Sequence, residues 1–199
     1  MTNYRVIGLM SGTSLDGLDI ICVRFNYRNT WKYQIEYCST YSYPDKWIQK
    51  LKNAPQLNEE KIKLLDLEYG IFLGDMINHF IQENKIIKTQ LDLISSHGHT
   101  VFHQPERGIT LQIGDGQSIS NLTKINVINN FRAVDVSLGG QGAPLVPIGD
   151  QLLFSEYTYC LNLGGIANIS IKEKDEIKAG DIAFANMVSN DLAKKKNLM

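Results

Sequence analysis

Apolar positions along the chain come in blocks with two rhythms, one suited to strands and one to helices. Residues 4–10 and 18–25 are two short apolar runs, and the polar, Gly-containing stretch between them reads as the loop of a β-hairpin. Residues 32–43, rich in Tyr, Ile and Thr, read as a third strand that Pro44 ends. Residues 45–52 form a short helix. Asn58 then caps a longer one, with Glu59 and Glu60 in its first turn, where the helix dipole favours acids. Ile62, Leu65, Tyr69, Phe72, Leu73, Met76, Ile77 and Phe80 recur at three- and four-residue spacing, the apolar stripe of a helix lying on a sheet. The Met and aromatic members of that stripe are core positions, and His79, at its polar edge, carries no chemistry.

Farther along, residues 91–96 read as a strand that ends in His97-Gly98-His99-Thr100. A short strand and turn over 110–116, a helix over 117–123 and a strand over 124–131 follow. A Gly-rich passage from 137 leads to a helix over 147–155. Residues 159–162 and 166–172 then form a second hairpin around Gly164-Gly165. This order predicts an α/β fold with a mixed sheet and flanking helices. The second hairpin opens a second, similar unit, so the expected domains are 1–136 and 137–199. The second unit reads as incomplete: a charged turn over 172–178, a stretch over 181–190 and Lys194-Lys195-Lys196 close the chain. One hairpin and one helix cannot bury a sheet face, so this part is expected to be poorly covered or to belong to something longer.

Composition narrows the function classes. The chain has 199 residues, 43% hydrophobic and 21% charged with net charge −1, enough core for one large or two small domains. That balance gives no electrostatic case for nucleic acid or an anionic membrane. Cys22, Cys38 and Cys160 are an odd number, and Cys22 and Cys160 lie in apolar runs; they read as buried thiols in a reducing compartment. No basic segment with a long apolar run opens the chain, and no window approaches the roughly 20 apolar residues of a membrane span. A cytoplasmic location is the expectation.

The first hairpin loop is longer and richer in hydroxyls than a turn requires. Gly12 lets a ligand approach the backbone, successive N–H groups can face an anion, and Ser11, Thr13 and Ser14 supply hydroxyl donors. Asp16 or Asp19 could reach a magnesium ion through its water shell. A plain polar turn is the alternative, and no Gly-Lys-Ser/Thr follows, so this is not a Walker A loop. His97, His99 and His103 allow a metal-cluster reading or, better, a strand end that delivers imidazole and hydroxyl groups into a cleft. Arg132 is a planar fork for a carboxylate or phosphate, with Asp135 able to orient it; the alternative is a surface ion pair. Gly139-Gly140-Gln141-Gly142 would admit a ligand or act as a hinge. Asn162 and Asn168 straddle Gly164-Gly165, repeating the logic of the first hairpin. Asp181, read alone, is a helix N-cap; in a cleft it could be a general base.

Together these residues resemble anhydro-N-acetylmuramic acid kinases. The resemblance is carried by Ile7-Gly8-Leu9-Met10-Ser11-Gly12-Thr13-Ser14-Leu15-Asp16-Gly17, Ser96-His97-Gly98-His99-Thr100, Leu111-Gln112-Ile113-Gly114-Asp115-Gly116, Phe131-Arg132, Gly139-Gly140-Gln141-Gly142-Ala143-Pro144-Leu145 and Asn162-Leu163-Gly164-Gly165-Ile166-Ala167-Asn168. It implies the actin-like ATPase and sugar kinase (ribonuclease H-like) fold, two related lobes with ATP in the cleft between them, the second incomplete here. It implies ATP- and Mg2+-dependent phosphorylation of the anhydro sugar with opening of its ring by water, a step of cell-wall recycling. Ser11, Gly12, Thr13, Ser14, Leu15, Asp16, Gly17, Leu18 and Asp19 would hold the ATP phosphates, with Asn162, Gly164 and Gly165 opposite. Asp181 matches the aspartate that activates water. His97, Thr100, Arg132 and Asp135 would bind the sugar and its lactyl carboxylate. The partners implied are this sugar and ATP, with a homodimer compatible. In that family Cys-Pro or Gly-Pro usually follows the base aspartate, where this chain has Ala183-Phe184, so the loop aiming Asp181 is expected to differ. The family also continues past residue 199 into the adenosine pocket and further carboxylates. The 199-residue chain alone is therefore expected to phosphorylate slowly or not at all, the alternative being a non-catalytic binding remnant.

Overall fold

In the computed structural model, which describes residues 2–173 and 176–196, the first apolar runs are β1 (Thr2–Ser11) and β2 (Leu18–Tyr27). They pair antiparallel up to the Ser11–Leu18 step, so the six residues between are a true loop. β3 (Trp31–Tyr41) adds antiparallel to β2. On the other side of β1 lies β4 (Leu93–Gln104), parallel to it. β5 (Ile109–Ile113) pairs antiparallel with the end of β4, and the short β6 (Val127–Ile128) pairs parallel with its start. The result is a mixed six-stranded sheet. Its helices are α1 (Asp45–Asn53), α2 (Glu59–Glu83), α3 (Gly116–Thr123) and α4 (Ala133–Ser137). The expected α/β class with a mixed sheet and flanking helices is therefore what the chain adopts.

α2 organises the core as its stripe predicts. Leu65, Tyr69, Leu73, Ile77 and Phe80 are buried against Ile7, Leu9, Ile20, Cys22, Ile94 and Ile113 of the sheet, with Ile62, Phe72 and Met76 along the edge. Each fully buried aliphatic side chain contributes about 1.5–3 kcal/mol. The Asn58 side chain accepts from Lys61 N at 3.0 Å, the cap expected from sequence. On the flank of α2, Gly70 and Gly74 let α3 approach: a Cβ at Gly70 would lie 2.6 Å from the Asp115 carbonyl oxygen.

The chain divides after Gly142 into two units, with Gly12–Ser14 grouped with the second. The Gly-rich passage up to Gly142 stays with the first because Gly142 N donates to Asp135 Oδ2 at 2.6 Å. The second unit comprises α5 (Val146–Leu153), an antiparallel sheet of β7 (Tyr159–Leu163), β8 (Ile166–Glu173) and β9 (Glu176–Phe184), and α6 (Asn186–Lys195). Its apolar side chains are poorly covered, as expected: Leu161, Leu163, Ile182 and Phe184 are 58%, 62%, 57% and 68% exposed.

Four expectations need correction. The strand over 91–96 does not stop at His97 but runs to Gln104, because Gly98, at φ 69°, takes up a bulge that lets pairing resume at Ser11–His99. The strand over 124–131 shrinks to Val127–Ile128, cut on both sides by the left-handed Lys124 (φ 61°) and Asn130 (φ 58°). Of residues 172–178, expected as a charged turn, Lys172 and Glu173 belong to β8 and Glu176, Ile177 and Lys178 to β9, which pair antiparallel as far as Glu173–Glu176, so the expected turn is narrower; residues 174–175 lie outside the described ones. Cys22 is buried, but Cys160 is only half-buried, since β7 is an edge strand; both and Cys38 are free thiols. Among the described residues, no helix is long and apolar enough to cross a membrane.

Candidate functional site

The hairpin loop leaves the sheet at Ser11, and Ser11 is clamped. Its Oγ lies 2.8 Å from Tyr43 OH, 2.9 Å from Tyr69 OH and 3.2 Å from His99 Nδ1, and the two tyrosine hydroxyls are 2.8 Å apart. All four side chains are buried. Burial, with His97 nearby, lowers the His99 pKa to about 4, and burial lifts the Tyr69 phenol well above its usual value. The expectation that Ser11 offers its hydroxyl to a ligand is corrected: that hydroxyl faces the core, whereas in the loop Thr13 is exposed and Ser14 half-buried. The Leu18 side chain is likewise in the core, so only its backbone can face a ligand.

Within the loop the backbone is shaped for close approach. Leu15 is left-handed (φ 55°), a conformation that turns neighbouring N–H groups toward a common point. A Cβ at Gly17 would meet Thr40 Cγ2 at 2.8 Å and the Tyr41 carbonyl oxygen at 3.0 Å, so only glycine seats the loop against β3. Asp16 and Asp19 are exposed, and Asp19 Oδ1 accepts from Thr40 Oγ1 at 2.6 Å.

Arg132 has different partners from those its neighbours suggest. Its Nη2 donates to His97 Nε2 at 2.9 Å and its Nη1 to the Gly142 carbonyl at 2.5 Å. His97 Nδ1–H donates to the Gly98 carbonyl at 2.9 Å, which fixes its tautomer with Nε2 as the acceptor. Burial first, and Arg132 second, hold the His97 pKa below its usual value, so the ring is neutral. Asp135 does not orient Arg132: its carboxylate accepts from Gly142 N, and no ion pair joins the two among the described residues. The bulge at Gly98 brings His97 and Arg132 together, thirty-five residues apart in sequence. Thr100 lies further along β4, opposite Gln112 of β5. Arg132 Nε and Gln112 Oε1 are buried without a partner among the described residues, two polar atoms that a bound polar ligand would satisfy.

The histidines do not gather around a metal. His97 holds Arg132, His99 meets Ser11, and His103 Nδ1 lies 3.1 Å from Thr110 Oγ1. Among the described residues no three His, Cys, Asp or Glu side chains are grouped as a metal site. His79 packs edge-on to Tyr41, ring centroids 5.6 Å apart.

In the second unit, strand register gathers the candidates. Asn162 pairs with Asn168, and Asn168 with Asp181, so the three form one row across β7, β8 and β9. The helix N-cap reading of Asp181 is therefore corrected: Asp181 is a strand residue. The strand continues through Ala183 and Phe184, which pair with Ala167 and Ile166. A proline here would remove a ladder donor, and its absence is why the expected loop is strand. The Gly164-Gly165 turn packs on the start of α6, with Asn186 N donating to Gly164 O at 3.0 Å and Ala185 N to Gly165 O at 2.9 Å.

Sequence reasoning missed Tyr43 and Tyr69 as polar partners. The signal was present: a buried position that needs only packing is served by Phe, and Tyr implies a partner for its hydroxyl.

The mixed sheet, its flanking helices and the hydroxyl-rich hairpin loop define an α/β protein with a candidate anion-binding loop at the end of β1. Within that class the chain belongs to the anhydro-N-acetylmuramic acid kinase family, whose model matches residues 4–198. It is 42% identical over 172 residues to an anhydro-N-acetylmuramic acid kinase of Shewanella denitrificans, covering 82% of this chain and 46% of that protein. The enzyme of that name from Zymomonas mobilis is 37% identical over 206 residues, covering 96% of this chain and 56% of its own. The chain thus spans about half the length of the curated relatives it matches. Among solved structures, YeaZ from Pseudomonas aeruginosa covers 91% of this chain and 67% of that one at 9% identity and TM-score 0.30, a likeness too slight to bear on the site.

Proposed function

We propose that the chain is the first lobe and the start of the second lobe of a kinase that transfers the γ-phosphoryl group of ATP to 1,6-anhydro-N-acetylmuramic acid, opening the ring with water. The product is N-acetylmuramic acid 6-phosphate, made in the cytoplasm during cell-wall recycling. The observation that supports this most is the row Asn162–Asn168–Asp181 beside the Gly164-Gly165 turn, in a chain of this family.

In this reading the N–H groups and hydroxyls from Gly12 to Gly17 cradle the phosphates, and Asn162, Gly164 and Gly165 hold them from the second lobe. Asp16 and Asp19 suit magnesium, which keeps most of its water shell and neutralises charge on the phosphates when bound. Arg132, kept in register by His97 and Gly142, pairs with the lactyl carboxylate, and Thr100 contributes a hydroxyl to the sugar. Asp181 takes a proton from water as that water bonds to C1; the C1–O6 bond breaks, and O6 takes the phosphoryl group as ADP leaves. Positioning and charge stabilisation supply most of the rate in phosphoryl transfer.

The test is titration of the full 199-residue chain with ATP·Mg and with the anhydro sugar, beside a coupled ADP-release assay. Slow turnover to a ring-opened phosphate, lost in Asp181→Asn while ATP still binds, is the expected result. Binding of either ligand without turnover supports a non-catalytic binding unit instead, and binding of neither removes both readings.

A further inference from the structure

Tyr43, Tyr69 and His99 come from three separate segments, yet they meet at one oxygen, Ser11 Oγ, on the last residue of β1. Packing does not explain the two hydroxyls, because Phe would fill the same space. The bonds do: both tyrosine hydroxyls donate to Ser11 Oγ and touch one another, and Ser11 Oγ meets His99 Nδ1 on its other side. Removing any member leaves a buried polar atom short of a partner.

We infer that His99, Tyr43 and Tyr69 are positioning residues, clamping Ser11 and so fixing where the loop Gly12-Thr13-Ser14 leaves the sheet. Their effect on nucleotide binding rests on reading that loop as the phosphate loop; the clamp itself does not.

Two measurements on the full chain test this. Amide exchange at Gly12, Thr13 and Ser14 should quicken about tenfold in Tyr43→Phe and Tyr69→Phe, the scale of one hydrogen bond, with β8 unchanged; unaltered exchange in the loop overturns the clamp. ATP·Mg titration should weaken about tenfold in Tyr69→Phe and His99→Leu but recover in His99→Asn, whose amide can pair with Ser11 Oγ in place of Nδ1. Equal affinity in His99→Leu and His99→Asn refutes the positioning role. If the unaltered chain takes up no ATP, the phosphate-loop reading fails, and the exchange measurement still judges the clamp.

Discussion

Acid should unfold the first unit through His99. Its ring is 5% exposed and its pKa is about 4, against an ordinary value of 6.5, mainly because burial disfavours the charged form. Above pH 6.5 the ring is neutral in both states, so its contribution is fully present. As pH falls from 6.5 toward 4 the unfolded chain takes the proton and the folded chain refuses it, so stability is lost through that window and levels off below it. The full loss corresponds to about 3 kcal/mol, of which about 2 kcal/mol is gone by about pH 4.5. Other groups titrate nearby. His97, also lowered, acts in the same direction, as does Glu36 at lower pH; Asp66, raised by burial, opposes them. The measurement is therefore a difference between the unaltered chain and His99→Asn, which keeps a donor but cannot charge. Urea unfolding at about pH 7 and about pH 4.5, followed by Trp47, whose ring centroid lies 5.2 Å from that of Tyr69, reports on the right unit. The unaltered chain should lose about 2 kcal/mol more than the variant between those conditions. Parallel losses in the two proteins would refute the argument.

Two further substitutions test the packing and the anion site. Gly70→Ala should lower stability by about 1–2 kcal/mol by thermal unfolding, since its Cβ would meet Asp115 backbone atoms at 2.6 and 2.9 Å, outweighing the usual gain of about 1 kcal/mol for Ala in a helix. Gly74→Ala, which meets the movable Leu122 side chain, should be near neutral, and Gly149→Ala in α5, with open space around it, should stabilise; a stabilising Gly70→Ala would show that α3 does not pack as described. Arg132→Lys cannot span His97 Nε2 and Gly142 O as a fork does, and calorimetry should find the anhydro sugar bound at least about tenfold more weakly, with unchanged affinity refuting the carboxylate role.

What could be read from the sequence, and what could not, follows from the range of each signal. The α2 stripe, the Asn58 cap and the first hairpin were legible because periodicity and capping act over a few residues and are written where they act. The extent of β4 was not, since Gly98 both interrupts the apolar rhythm and rescues the pairing with Ser11. Charge at 172–178 marked where the chain reverses but not how far the strands reach into it, because the β8–β9 ladder, and not local composition, sets their ends. Arg132 was paired with Asp135 on proximity in sequence. The structure joins it instead to a histidine thirty-five residues earlier, and gives Asp135 the task of holding Gly142. The same logic separates the two halves of the candidate site. Glycines and hydroxyls that would touch a ligand lie in contiguous motifs and could be named in advance. The side chains that aim them, Tyr43, Tyr69 and His99 at Ser11, and His97 at Arg132, converge only through the fold. A buried tyrosine on an apolar stripe is the one local trace such a network leaves, and it identifies a hydroxyl in need of a partner without saying which partner it is.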